Sequence, residues 1–80
     1  MKYIADWKSG GMHGVGDFDT KDEALEYALG CALGNRQAGS TASFKVLTDD
    51  IYDPDPTIYS GEISANGKVK YHIKDGKFVG

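Results

Sequence analysis

The side chains with the most evident chemical potential lie in an acidic loop at residues 49–56, which reads Asp-Asp-Ile-Tyr-Asp-Pro-Asp-Pro. Carboxylates are the ligands that Ca²⁺ and Mg²⁺ prefer, but this loop lacks the central glycine and terminal glutamate of an EF-hand. Its two prolines also restrict how the backbone can wrap an ion. We therefore expect no metal site, and two alternatives remain: a solvated turn, or a surface that binds a partner protein. The partner-binding candidates are Asp49, Asp50, Tyr52, Asp53, Asp55 and Tyr59, since tyrosine is enriched at interfaces.

A second candidate surface follows from a period of two near the C-terminus. Lys68, Lys70, His72 and Lys74 fall on one face of a predicted strand, which makes them the alternative partner-binding residues. A sheet that binds nucleic acid places aromatic rings on the same face as its positive charges, so that bases can stack. The rings and apolar groups here alternate onto the opposite face. We expect a solvated outer face, with contact to a polyanion or an acidic protein as the alternatives.

The other reactive side chains do not form a recognisable catalytic set. His13, His72 and Cys31 lack the spacing of a zinc site, and a cysteine nucleophile would need a base and an orienting group. The glycine-rich segment 10–16 lacks the Gly-Lys-Ser/Thr ending of a phosphate-binding loop. The sequence therefore predicts no catalytic residue, no cofactor and no enzymatic activity.

Local patterns predict the elements that would position these residues. Alternation indicates strands at residues 2–8, 12–18, 41–48, 57–64, 67–74 and 77–79. Thr20 and Glu23 form a capping-box pattern at the start of a helix that runs from residue 21 to about residue 33–38. Asn66-Gly67 and Asp75-Gly76 are the residue pairs preferred in type I′ hairpin turns. We expect an α+β domain over residues 1–80: a single antiparallel sheet of four to six strands with one helix packed on one face.

The predicted core lies between that helix and one sheet face. It comprises Tyr3, Ala5, Trp7, Leu25, Ala28, Leu29, Ala32, Phe44, Val46, Ile58, Val69, Tyr71, Ile73 and Phe78.

Composition limits the class of protein. The chain has 80 residues, one cysteine and a formal net charge of −3. A single cysteine excludes a domain held by internal disulfides, and no apolar run is long enough for a signal peptide or a membrane span. We expect a complete, cytoplasmic chain. Charge is segregated: residues 17–30 carry five acids and one lysine, residues 49–62 five acids and no base, and residues 63–80 four lysines and one aspartate.

In size and build the chain resembles the small phage-encoded inhibitors, above all the anti-CRISPR proteins. The shared features are a short first strand at Met1-Lys2-Tyr3-Ile4, a capped helix opened by Asp17-Phe18-Asp19-Thr20, a small sheet and segregated acidic residues. The resemblance implies a protein that binds a nucleic-acid-processing complex in a bacterial host and blocks its nucleic-acid groove or its assembly. A regulatory or structural interaction domain, or a nucleic-acid-binding module that uses Lys68–Lys74, remains the alternative.

Overall fold

Seven elements form close to the predicted segments. A computed structural model describes residues 2–37, 39–50, 52, 54 and 56–79. In chain order its elements are β1 (Tyr3–Ser9), β2 (Met12–Phe18), α1 (Lys21–Gly34), β3 (Ala42–Thr48), β4 (Thr57–Ile63), β5 (Val69–Lys74) and β6 (Lys77–Phe78). The six strands form one antiparallel sheet, and α1 packs on one of its faces. The predicted α+β fold is therefore confirmed.

The sheet has the strand order β2-β1-β3-β4-β5-β6, so β1 lies between β2 and β3. Tyr3, at the start of β1, pairs with Phe18 at the end of β2 and with Thr48 at the end of β3. The chain segments that follow β2 and β3 consequently leave the sheet at the same end, on either side of β1. This juxtaposition positions the candidate site described below.

A threonine cap begins the helix. Thr20 has an extended backbone, and its Oγ1 accepts a hydrogen bond from the Glu23 amide at 3.2 Å. The Glu23 carboxylate accepts a hydrogen bond from the Thr20 hydroxyl at 3.0 Å. At the other end, the backbone and side-chain amides of Asn35 both donate to the Cys31 carbonyl, which would otherwise lack a helical partner. Helix α1 thus ends at Gly34, within the predicted range.

Small side chains let the helix approach the sheet closely. Ala24, Ala28 and Ala32 recur every four residues, lie on one helix face and are fully buried. They belong to the same core cluster as Trp7 and Phe44 from the central strands. The buried cluster also contains Ala5, Ala42, Val46, Tyr59 and Ile63.

A bulge moves part of the predicted core to the surface. The β4–β5 pairing shifts between Ser60 and Gly61, because Gly61 pairs with Tyr71 whereas Ser60 pairs with Ile73. His72 is the extra residue, and a shift of one residue exchanges the two faces of a strand. Ile73 and its partner Phe78 therefore lie on the sheet face that α1 does not cover, which we call the open face. Phe78 is 80% exposed and the prediction that it is a core residue is wrong.

Two further core assignments differ from the sequence prediction. Val69, at the start of β5, is 39% exposed and lies beyond the cover of the helix, so it is not a core residue. Tyr59 and Ile63 occupy the core instead, because Tyr59 pairs with Val46 and Ile63 with Ala42 on the helix-facing side.

Both predicted glycine-containing turns form, but one of them differs in type from the prediction. Asp75 and Gly76 both have positive φ (53° and 78°), as the predicted type I′ turn requires. At Asn66-Gly67 only the glycine has positive φ, at 88°. The Ser64 carbonyl accepts from the Gly67 amide and the Ser64 amide donates to the Lys68 carbonyl. This is a three-residue loop with glycine in the left-handed position, so the prediction of a two-residue type I′ turn there is wrong.

Candidate functional site

The acidic loop presents an exposed aromatic ring. The Asp50 carboxylate accepts a hydrogen bond from the Tyr52 amide at 3.0 Å, the pattern of an Asx turn. Asp49 is exposed, and the Tyr52 side chain is 88% exposed. Asp53 and Asp55 lie outside the described residues. The described part of the predicted loop surface therefore includes an exposed tyrosine ring, the exposed Asp49, and Asp50, whose carboxylate binds the Tyr52 backbone amide.

A second acidic segment meets this loop at Lys2. The Lys2 ammonium contacts the Asp19 carboxylate at 2.5 Å, and the Asp49 amide donates to the Lys2 carbonyl at 3.1 Å. The hydrogen bond and charge of Asp19, followed by the charges of Asp17 and Asp49, raise the pKa of Lys2. The same contact lowers the pKa of Asp19. Acids that are thirty residues apart in sequence thus share one lysine, because β2 and β3 end on either side of β1.

The hydroxyl of the buried Tyr59 is hydrogen-bonded at this end of the molecule, next to the start of α1. The Tyr59 hydroxyl donates to Asp75 Oδ1 at 2.8 Å, and Lys21 Nζ donates to the same oxygen at 3.1 Å. Burial, with help from the Asp75 hydrogen bond and charge, raises the pKa of Tyr59 to about 12. The Tyr59 hydrogen bond and then Lys21 lower the pKa of Asp75, while Asp75 raises the pKa of Lys21. The β5–β6 turn is thereby tied to the helix start.

Together these segments form what we call the acidic end, whose described residues include seven carboxylates and two lysines. Its members are Asp17, Asp19, Asp22, Glu23, Asp49, Asp50 and Asp75, with Lys2 and Lys21. Sequence reasoning identified both acidic segments but named only the loop as a candidate site. The missing information was the strand order, which brings the segments together.

Tyr59 does not belong to this surface. Its side chain is 5% exposed, and its ring packs near Tyr71 at a centroid separation of 6.3 Å. The prediction that Tyr59 contacts a partner is therefore wrong, because β4 directs this ring towards the helix and leaves only the hydroxyl near the acidic end.

The predicted lysine stripe is divided between the two faces. Lys70 pairs with Glu62 on the open face, where His72 Nε2 also contacts the Glu62 carboxylate at 3.1 Å. Beyond the bulge, Lys74 Nζ lies 5.2 Å from the centre of the Tyr71 ring, a cation–π contact. Lys68 lies in the turn before β5, where its amide contacts Ser64 Oγ at 3.2 Å. The prediction that one face carries all four side chains is therefore wrong for Lys74.

The open face gains two other lysines that sequence reasoning did not include. Lys8 pairs with Ser43, and Lys45 pairs with Asp6, so both lie on the face that carries Lys70. Alternation in β1 and β3 could have placed them there once the helix-facing residues were known. Asp6 also contacts His13 Nε2 at 2.7 Å. The open face therefore mixes three lysines with two histidine–carboxylate pairs.

The described residues contain no group of three or more histidine, cysteine or acidic side chains arranged to hold a metal ion. Cys31 is a half-buried free thiol. Within the same part of the chain, no helix is long and apolar enough to span a membrane.

No protein-family model, curated protein or solved structure matches this chain. The resemblance to anti-CRISPR proteins is therefore still a prediction.

Proposed function

We propose that this protein is a non-enzymatic protein-binding module that uses its acidic end to cover a basic surface of a partner. The observation that supports the proposal most directly is the convergence of two acidic segments around Lys2, the second of which also carries the exposed Tyr52. Carboxylates crowded on one end of a small domain resemble the phosphates of a nucleic-acid strand in charge. Such an end is complementary to a surface that binds nucleic acid.

The proposed biological role is that of a phage-type inhibitor that acts in the cytoplasm of a bacterial host. By occupying the nucleic-acid-binding or assembly surface of a defence complex, the acidic end would exclude the complex's own substrate or subunit. Tyr52 would supply rigid apolar contact area, and the carboxylates would increase the association rate and favour basic partners. This charge-driven part of binding is sensitive to salt, since screening acts over about 8 Å at physiological ionic strength.

Charge-reversal variants with equal net charge test this proposal. Asp22→Lys with Asp49→Lys reverses two exposed charges at the acidic end, and neither side chain has a hydrogen-bond partner among the described residues. Asp6→Lys with Glu62→Lys makes the same change in net charge on the open face. Immobilised wild-type and variant proteins are incubated with host lysate, and the captured proteins are compared after circular dichroism has shown that each variant is folded.

We expect the wild-type protein and the open-face variant to capture the same basic partner, and the acidic-end variant to lose it. Capture that is equal for the acidic-end variant, or lost only for the open-face variant, would contradict the proposal.

A second candidate function is supported by the lysines of the open face. Lys8, Lys45 and Lys70 share this face and could contact a polyanion. Against this function, Asp6 and Glu62 lie among the lysines, and the rings of Phe44 and Tyr71 face the helix rather than a base. Direct binding of nucleic acid that decreases in a Lys8→Glu, Lys45→Glu, Lys70→Glu variant and falls steeply with salt would favour this function over the first.

A further inference from the structure

The free edge of the sheet at β2 lacks the usual protection against pairing. Strand β2 is the first in the strand order, and its seven residues pair with β1 without a bulge. Proteins commonly protect an exposed edge with lysine, proline, a bulge or a very short strand. The opposite edge follows that practice, since β6 has two residues and includes Lys77. Strand β2 contains neither lysine nor proline, and its one acidic side chain, of the charged kind that also protects edges, is Asp17, next to its last residue.

The backbone of β2 is set to pair outward in a defined way. Gly10 and Gly11 form a two-residue turn between β1 and β2, with Gly10 at a φ of 61°. A two-residue hairpin makes its flanking residues, Ser9 and Met12, a hydrogen-bonded pair. Alternation along an antiparallel ladder then directs the amides and carbonyls of His13, Val15 and Asp17 away from β1. These groups are the ones available to a further strand.

We propose that β2 pairs antiparallel with β2 of a second copy of this chain, on a two-fold axis at Val15. In this register Val15 faces Val15 of the second copy, and His13, whose Nε2 contacts Asp6 of its own chain, faces Asp17 of the other copy in each direction. The chain is thus complementary to itself: an apolar pair at the centre is flanked by two pairs of a histidine and a carboxylate. Gly14 and Gly16 face each other on the helix side, where the Trp7 ring covers Gly14 and the Phe18 and Tyr27 rings cover Gly16, so neither glycine projects a side chain of its own between the two strands.

The same register provides a site for an exposed methionine. Met12 is 54% exposed, and it would lie opposite Phe18 of the second copy. Phe18 lines a groove of about 420 Å³ between the edge of β2 and α1, together with Tyr27 and Cys31. Methionine is flexible enough to fill an irregular apolar groove of this kind. Two such contacts, related by the two-fold axis, would cover apolar surface on the helix side of the joined sheet.

Charge also favours this arrangement over other self-associations. Each chain carries a net charge of −3, and two acidic ends brought together would repel. Antiparallel pairing about Val15 instead places the two acidic ends at opposite ends of the paired strands. Asp17, the one acidic-end residue within β2, is then matched with a histidine. The proposed partner of this edge is therefore a second copy, joined to form a continuous sheet of twelve strands.

The test compares two matched valines by sedimentation over a wide concentration range. Val15 and Val79 are 55% and 54% exposed, so lysine at either position should be tolerated in the folded monomer. We expect the wild-type protein and Val79→Lys to form dimers, and Val15→Lys to dimerise about tenfold more weakly or not at all, because two like charges would meet on the axis. A wild-type protein that stays monomeric, or a Val15→Lys variant that dimerises normally, would overturn the proposal.

Disulfide trapping tests the register itself. In a Cys31→Ser background, Val15→Cys should form a disulfide-linked dimer on mild oxidation, since facing residues on paired strands lie within disulfide range. Val79→Cys, as the control, should not. Efficient cross-linking at position 79, or none at position 15, would show that the chain does not associate through β2 in this register.

Discussion

Replacement of Tyr59 by phenylalanine tests how the hydrogen bond of the buried Tyr59 hydroxyl supports the acidic end. Phenylalanine keeps the ring in the core and removes only the hydroxyl that donates to Asp75 at 2.8 Å. A hydrogen bond to a charged group contributes about 1.5–3 kcal/mol when it is well buried. The Asp75 side chain is 56% exposed and retains Lys21, so water can replace the lost donor. We therefore expect Tyr59→Phe to lower the free energy of unfolding by about 1–1.5 kcal/mol at pH 8, near the lower limit of that range.

The same variant should respond differently to high pH. The pKa of Tyr59 is raised to about 12 in the folded protein, whereas an unfolded tyrosine titrates near 10. Above pH 10 the unfolded chain therefore loses this proton first, and the wild-type protein loses stability as the pH rises towards 12. At pH 11 this difference in pKa lowers the free energy of unfolding by about 1.4 kcal/mol. Above pH 12 the decrease approaches about 2.7 kcal/mol. Tyr59→Phe lacks this loss.

Urea unfolding, followed by the fluorescence of the buried Trp7, measures both effects. We expect the wild-type protein to be more stable at pH 8, and the two free energies of unfolding to converge near pH 11. Titratable groups that contact neither Tyr59 nor Asp75 are common to both proteins and cancel in the difference. A stability difference that stays constant from pH 8 to pH 11 would refute the assignment of a buried, hydrogen-bonded Tyr59.

Two further substitutions test the sheet and the helix start. A Cβ at Gly61 would lie 2.6 Å from Phe44 Cζ and closer still to the Lys70 carbonyl. Gly61→Ala should therefore lower the free energy of unfolding by about 2–3 kcal/mol, and an unchanged urea midpoint would contradict the close β4–β5 packing. Thr20→Ala removes the hydroxyl that accepts a hydrogen bond from the Glu23 amide. It should lower the free energy of unfolding by about 1 kcal/mol and reduce the helical circular dichroism, whereas identical unfolding curves would show that the cap does not stabilise α1.

Features with local signals were predictable from the sequence. The capping pattern at Thr20 and Glu23 located the helix start, and Asp75-Gly76 located a type I′ turn, because both depend on residues close in the chain. Asn66-Gly67 was less decisive, since the same dipeptide fits a two-residue turn and a three-residue loop. The choice between them depends on the register of β4 with β5, which is not a local property.

Features that depend on how the strands pair were not predictable. The bulge at Ser60 and Gly61 has no local marker beyond the glycine itself, yet it changes the face on which Lys74 and Phe78 lie. The acidic end likewise requires β1 to lie between β2 and β3, a strand order that alternation does not reveal.

Competition between this protein and nucleic acid for the captured partner tests whether the acidic end occupies a nucleic-acid-binding surface. The partner is incubated with labelled nucleic acid and increasing amounts of the wild-type protein, the Asp22→Lys, Asp49→Lys variant, or the Asp6→Lys, Glu62→Lys control. We predict that the wild-type protein and the control displace the nucleic acid, that displacement weakens as salt rises, and that the acidic-end variant fails. A complex that holds this protein and the nucleic acid together, or equal displacement by the acidic-end variant, would show that the acidic end does not occupy the nucleic-acid-binding surface.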